Sequence, residues 1–173
     1  MIMPEAPENQ KWPANVAQTL GELLAELLRR GQTVASAESC TGGLVATALT
    51  HLPGTSAVYL GGVSSYANEA KTTLLGVETR LLATVGAVSP EVAKAMAEGA
   101  RARLGATWAV GITGIAGPTG GSREKPVGLV YVGVAGPGRS EATRLDLSGD
   151  REAIRLAAAR QALFLLQSAV QTW

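Results

Sequence analysis

Apolar residues recur at helical spacing between Asn15 and Arg30, at Val16, Leu20, Leu23, Leu24 and Leu27, and this spacing predicts an amphipathic helix. Gly31 closes it, behind Arg29 and Arg30, cations suited to the carbonyl end of a helix. The period then changes. TVASAE, residues 33–38, reads as a short buried strand. TGGLVATALTHL, residues 41–52, reads as a helix halted by Pro53-Gly54, and AVYLGGVSSYA, residues 57–67, as the next strand. Asn68 opens a helical segment, NEAKTTLLG, and two more helical pieces follow. The second of them begins at Ser89-Pro90-Glu91, a capping serine before a proline at the first helical position. Gly105 stops it after Leu104.

TWAVGITGIA (107–116) and PVGLVYVGVA (126–135) predict buried strands, separated by the loop GPTGGSREK. GRSEATRLDL (138–147) is polar and alternating, and Gly136-Pro137-Gly138 joins it to its predecessor as a hairpin partner near a sheet edge. Asp150 caps a last long helix over 151–170. Helices alternating with buried strands, with a late hairpin, predict an α/β fold: a three-layer α/β/α sandwich with a mixed sheet. Residues 1–13 read as a loose lead-in and 14–173 as one domain, without repeat or low-complexity linker. Ligands of open α/β sheets bind at the carboxyl ends of strands. Three polar, glycine-rich segments, 38–43, 64–71 and 113–125, follow predicted strands and are expected to converge there.

Composition narrows the function classes. Hydrophobic residues at 46% and charged residues at 17% argue against disorder, and aromatics at 4% leave the core to Ala, Val, Leu and Ile. A net charge of +1 supplies no basic field for nucleic acid or an anionic membrane, so neither is an expected partner. The single cysteine, Cys40, permits no intrachain disulfide. The opening MIMPEAPENQKWP has acids and prolines where a signal peptide needs a basic and then an apolar run. No apolar stretch reaches the roughly 18 residues of a membrane span. A cytoplasmic location is therefore expected. One histidine and one cysteine cannot build a zinc site, and no metal is expected.

The polar stretch ASAESCTGGL (35–44) holds the candidate chemistry. Ser39 or Thr41 either caps the following helix or, in the case of Ser39, presents a nucleophile, with Gly42 and Gly43 permitting close approach and nearby N–H groups meeting an oxyanion. Taken alone, the stretch favours the cap. It is not a G-x-S-x-G elbow, because Ala37 and Thr41 stand at the glycine positions. Cys40, with no histidine nearby, reads as a small buried residue.

A nucleophilic serine needs a base. His51 lies nearly three helical turns beyond Thr41, roughly 15 Å at 1.5 Å per residue, and reads as a helix-end residue. Lys11 and Lys94 read as solvated. Lys125 completes a formal S-x-x-K, but the following Pro126 disfavours the helical turn that motif needs. Lys71 sits on a short helical turn after a strand; it is either a solvated lysine or one that reaches Ser39 if that strand neighbours TVASAE. Thr113 stands where an apolar strand ends, so its hydroxyl can face a site. Arg151 puts a cation in the first turn of a helix, where the dipole disfavours it by roughly 0.3–1 kcal/mol. Either it grips an anion such as phosphate, aided by the helix N-terminus, or it pairs with Glu152 or Asp146.

Five separated strings, AESCTGG, SYANEAK, GAVSPEVA, GITGIAGPTGGSREKPVGLVYVG and GDREAIR, resemble in order the C-terminal domain family of the competence/damage-inducible protein CinA. The resemblance covers roughly residues 15–170, and the family's stand-alone members are nicotinamide-nucleotide amidases. It implies a three-layer fold and hydrolysis of the carboxamide of nicotinamide mononucleotide to nicotinate mononucleotide and ammonia. It implies Ser39 as nucleophile, Lys71 as general base, and Tyr66, Thr113 and Arg151 as further site residues, with Thr41, Gly42 and Gly43 at the oxyanion. It also implies a small-molecule nucleotide substrate and no cofactor. A homo-oligomer, a dimer, is expected from it and from the apolar final helix.

Overall fold

The computed structural model describes residues 12–173; the expectations for residues 1–11, Lys11 included, lie outside the described residues. Trp12, assigned above to a loose lead-in, is buried in the core. The chain continues as α1 (Ala14–Arg30), β1 (Val34–Glu38), α2 (Leu44–Leu49), a short 3₁₀ turn (Thr55–Ala57) and β2 (Tyr59–Ser64). Then follow α3 (Asn68–Leu75), α4 (Thr79–Val85), α5 (Pro90–Leu104), β3 (Trp108–Gly114), β4 (Leu129–Gly136), β5 (Arg139–Asp146) and α6 (Arg151–Thr172).

The five strands form one mixed sheet in the order β2-β1-β3-β4-β5. β1 runs parallel to both β2 and β3, while β3–β4 and β4–β5 are antiparallel. The side-chain period of two sorts each central strand between two cores. Val34, Val110 and Ile112 face α1, α2 and α6. Ala35, Ala37 and Ala109 face α3, α4 and α5. The fold is thus the expected α/β/α sandwich. β5 is an edge strand, and its polar alternation sets exposed side chains against half-buried ones such as Ser140, which bonds Glu98 of α5.

α6 is apolar around much of its circumference because it fills a central groove. Ile154, Ala158, Ala162, Leu163 and Leu166 are all buried within the chain. Its apolarity is accounted for by this core and supplies no independent argument for an oligomer.

α5 packs backbone against backbone on the sheet. Gly111 and Gly133 are register partners on β3 and β4. A Cβ on Gly111 would lie 2.5 Å from Ala93 O and Ala97 N, and one on Gly133 would also strike Ala93 O. Gly133→Val is therefore expected to destabilise the fold by about 1–3 kcal/mol through overpacking. A lowered urea midpoint checks this, and an unchanged midpoint would show that α5 yields freely.

Because β1, β2 and β3 are parallel, their carboxyl ends lie on one edge of the sheet. The segments after them, starting at Ser39, Ser65 and Ile115, meet there.

Candidate active site

The loop after β1 is built by a residue absent from the expected set. Strand alternation turns Glu38 toward the α2 face, and its nearly fully buried carboxylate accepts hydrogen bonds from Gly43 N (3.0 Å), Val45 N (3.1 Å) and Ala46 N (2.9 Å). These amides are the otherwise orphaned donors of a helix start. Glu38 thus caps α2 from before the loop. This corrects the capping expectation: α2 begins at Leu44 rather than Thr41, and no side-chain hydrogen bond from the N-cap position supports it. Wrapping the chain around the carboxylate needs positive φ at Gly42 (58°) and Gly43 (99°), which glycine adopts without a Cβ penalty. Ser39 is left without a capping task.

Lys71, one turn into α3, points inward and is 1% exposed, which rules out the solvated reading. Its Nζ lies 3.1 Å from Ser39 Oγ, 2.8 Å from Ser65 O and 3.0 Å from Tyr66 O. Among the described residues no carboxylate forms an ion pair with it. Burial disfavours the ammonium and pushes the Lys71 pKa below that of an ordinary lysine; the neighbouring Cys40 acts the other way, less strongly. A neutral amine has two N–H donors and one lone pair. As the ammonium, Nζ donates to Ser39 Oγ and to both carbonyls; once neutral, it keeps the two carbonyl bonds and turns its lone pair to the Ser39 hydroxyl.

Ser39, Tyr66, Asn68, Lys71, Thr113 and Arg151 line one cleft of about 210 Å³. A wider hollow of about 420 Å³ lies between α3 and α4, lined by threonines and Glu69, but neither Ser39 nor Lys71 reaches it. Thr113, on the α5 face of β3, donates to Ala87 O (2.8 Å) and so ties the strand end to the segment before α5. Cys40 is buried, and that burial pushes its thiol up to about 11, which keeps it protonated at neutral pH. His51 stands exposed beyond the far end of α2 from Ser39.

Two expectations about anion contacts need correction. The Gly42 amide already donates to Ser39 O (3.1 Å) and the Gly43 amide to Glu38, so neither is open to an oxyanion. Among the described residues the amides of Cys40 and Thr41 donate to no other residue; Cys40 lines the cleft, whereas Thr41 is fully buried and does not, so the Cys40 amide is the donor nearest the nucleophile. At the start of α6, Asp150 accepts from Ala153 N (2.8 Å), so that helix N-terminus already carries an anion and adds little for a second one. Arg151 pairs with neither Glu152 nor Asp146; Asp146 is held by Arg144. Instead Arg151 donates to Gly117 O (2.7 Å) and to Tyr66 Oη (3.3 Å). Two of its five N–H groups are used, and the residue is exposed at the cleft mouth beside Tyr66, itself 64% exposed.

Arg155 was also missed. It donates from Nε to Cys40 O (3.1 Å) and from its terminal nitrogen to Thr41 O (3.0 Å). One signal could have found it: four residues after Arg151 it lies on the same helix face. Asn68, the first residue of α3, joins the cleft as well.

No helix among the described residues is long and apolar enough to cross a membrane. The model of the CinA C-terminal domain family matches residues 16–170. A CinA-like protein of Anaeromyxobacter sp. (strain K) is 56% identical over 149 residues, covering 86% of this chain and 36% of that protein. A CinA-like protein of Gloeobacter violaceus is 48% identical over 151 residues, with 86% and 35% covered. The chain thus spans about a third of the length of these curated relatives. Among solved structures, the competence/damage inducible protein CihA of Agrobacterium tumefaciens has a TM-score of 0.89 at 43% identity, with 93% of this chain and 98% of that one covered. A CinA superfamily protein of Escherichia coli has a TM-score of 0.85 at 32% identity, with 97% and 95% covered. Matched from the first turn of α1 to the end of α6, the chain belongs to the CinA C-terminal domain family.

Proposed function

We propose that this chain is an amidohydrolase that converts nicotinamide mononucleotide to nicotinate mononucleotide and ammonia. The observation that carries the reading is the 3.1 Å contact between the buried Lys71 amine and the Ser39 hydroxyl, with no carboxylate paired to the lysine among the described residues. In the first half-reaction Ser39 Oγ bonds to the amide carbon as its proton passes to Lys71 Nζ. The oxyanion meets the amide of Cys40, the residue beside Ser39 that lines the cleft. The tetrahedral intermediate collapses, the C–N bond breaks, and Lys71 returns the proton to the departing ammonia. A water then attacks the acyl-enzyme, giving up its proton to Lys71; the C–O bond to Ser39 breaks as Lys71 passes that proton to Ser39 Oγ, and the product acid loses its own proton to leave as the carboxylate, with ammonia taking it up as ammonium. Atoms and charges balance with water as the only co-substrate, and no cofactor is needed. The electron-withdrawing pyridinium ring of the substrate favours both attacks.

The nucleotide part of the reading rests on Arg151. Three of its N–H groups are open at the cleft mouth, and a guanidinium fork suits a phosphate dianion. Arg151→Ala should lower kcat/KM by roughly tenfold to a hundredfold, the equivalent of about 1.5–3 kcal/mol for a lost charged hydrogen bond. Arg151→Lys should recover part of this, because a point charge lacks the fork. Steady-state ammonia release with nicotinamide mononucleotide and with free nicotinamide checks the assignment. If the nucleotide and the free base react equally well, or if Arg151→Ala leaves their ratio unchanged, the phosphate is not read at Arg151. A cytoplasmic setting and a homo-oligomer, a dimer, are part of the same proposal.

A further inference from the structure

We infer that Thr113 is the residue that selects a carboxamide at this site: its hydroxyl oxygen, with its one proton already given to Ala87 O, accepts an N–H of the leaving amine and has nothing to donate to a carboxylate or an ester. The inference rests on the amidohydrolase reading above and deepens it. A carbonyl oxygen cannot donate, so in the 2.8 Å contact between Thr113 Oγ1 and Ala87 O the threonine is the donor. A hydroxyl has one hydrogen and two lone pairs, so what Thr113 has left is acceptor capacity only. Both ends of that bond, Thr113 and Ala87, line the cleft together with Ser39 and Lys71. Thr113 is 1% exposed and so lies deep in the cleft, unlike Tyr66 and Arg151 at its mouth.

The topology puts that oxygen where the nitrogen must be. Ser39 follows β1, the middle of three parallel strands, and its N–H donates at 3.0 Å to the carbonyl of Ile112, the residue before Thr113. On the other flank, Lys71 is anchored to the carbonyls of Ser65 and Tyr66, which follow β2. The strand period puts Thr113 on the same face as Ala109, the face that α3, α4 and α5 cover, and Lys71 comes from α3. Base and threonine thus flank Ser39 from the two neighbouring strands on one side of the sheet. When Ser39 Oγ bonds to the amide carbon, three of the four directions at that carbon are taken: by Oγ, by the oxyanion at the Cys40 amide, and by the ring, which points toward Arg151. The nitrogen is left between Lys71 and Thr113. Giving one N–H to Thr113 turns the nitrogen lone pair toward Lys71, which protonates it as the C–N bond breaks and ammonia leaves. The hydrogen bond strengthens as the nitrogen gains that proton and its positive charge, so it acts on the transition state more than on the bound amide. A product carboxylate sets an anionic oxygen against the same lone pairs, and the repulsion favours its release.

The test compares two substrates that form the same acyl-enzyme, nicotinamide mononucleotide and the methyl ester of nicotinate mononucleotide, in wild type, Thr113→Val and Thr113→Ser. Ring, ribose and phosphate are common to both, and only the leaving group differs: an amine with N–H groups, or a methoxy oxygen that carries no hydrogen. Valine keeps the shape of threonine without its oxygen, and serine keeps the oxygen. Thr113→Val should lower kcat/KM for the amide by about tenfold to a hundredfold, as for a lost charge-assisted hydrogen bond, and for the ester by no more than about threefold. Loss of the tie to Ala87 O acts on both substrates alike and cancels in their ratio. Thr113→Ser should restore most of the amide rate. If Thr113→Val slows amide and ester by the same factor, Thr113 only ties β3 to the segment before α5, and the inference is wrong. It is also wrong if Thr113→Ser is as slow on the amide as Thr113→Val, because the oxygen is then not what acts. If wild type releases methanol from the ester but no ammonia from the amide, the amidohydrolase reading fails and takes this inference with it; ammonia release by wild type with an unchanged ratio in Thr113→Val overturns the inference alone. Should Thr113→Val not fold, Thr113→Ala decides by the same ratio, and equal losses on the two substrates overturn the inference.

Discussion

Ser39→Ala should stop ammonia release from nicotinamide mononucleotide, a loss on the order of 10⁴-fold or more in kcat, in a protein that remains folded and binds substrate. The fold should persist because the Ser39 side chain bonds only Lys71, which the carbonyls of Ser65 and Tyr66 still hold. Its backbone N–H donates to Ile112 O (3.0 Å), and its loop is fixed by Glu38 and Arg155. No neighbour can replace the hydroxyl. Burial pushes the adjacent Cys40 thiol up to about 11, and that side chain packs in the core. The Thr41 hydroxyl is fully buried and is not among the cleft-lining groups. Ammonia release by the variant, compared with nucleotide binding by calorimetry, checks both halves of the expectation. Loss of binding together with turnover would point to a collapsed cleft rather than to a missing nucleophile.

Lys71→Met and Lys71→Arg should each lower kcat by roughly 10²–10⁴-fold, the range for removing a positioned general base. The pair of variants separates charge from basicity. If the cation alone mattered, arginine would restore the rate; as a base it cannot, because a guanidinium does not give up its proton in this range. Lys71→Met also leaves Ser65 O and Tyr66 O without their donor, at a cost of about 1–3 kcal/mol, so rates are compared per folded molecule. The wild-type pH profile carries the same information. A base works deprotonated, so kcat/KM rises with pH through the Lys71 pKa. Burial lowers that pKa, so the midpoint should lie below the value of about 10.4 for a free lysine side chain. An alkaline midpoint at the free-lysine value would place the active amine in water, which contradicts its position.

What the chain revealed in advance was local. Ser89 and Asp150 were legible as caps because a cap and its amides lie within three residues, and both hydrogen bonds form. The β4–β5 hairpin was legible from Gly136-Pro137-Gly138 and the alternation that follows it. The convergence of three loops followed from strand order along the chain, because successive parallel strands share one carboxyl edge. The site was less legible because its contacts bridge long separations. Glu38 looks like the end of a strand until its side chain is seen to reach amides five to eight residues on. Arg155 acts on carbonyls 114 and 115 residues earlier; its spacing from Arg151 marks the helix face but not those partners. Lys71 was ambiguous for the same reason. Its burial depends on where α3 lies against β1, and nothing in NEAKTTLLG distinguishes a lysine that folds inward to two carbonyls from one in water.

The central claim is that Ser39 carries the acyl group. The most direct measurement follows the products from nicotinamide mononucleotide in the presence of increasing hydroxylamine, in wild type and in Ser39→Ala. An acyl-enzyme is intercepted by the stronger nucleophile, so wild type should yield the hydroxamate at the expense of nicotinate mononucleotide, in a ratio that grows with hydroxylamine concentration, and Ser39→Ala should yield neither. Undiminished ammonia release by Ser39→Ala, or no ammonia from folded wild-type protein at any pH from neutral to mildly alkaline, would contradict it.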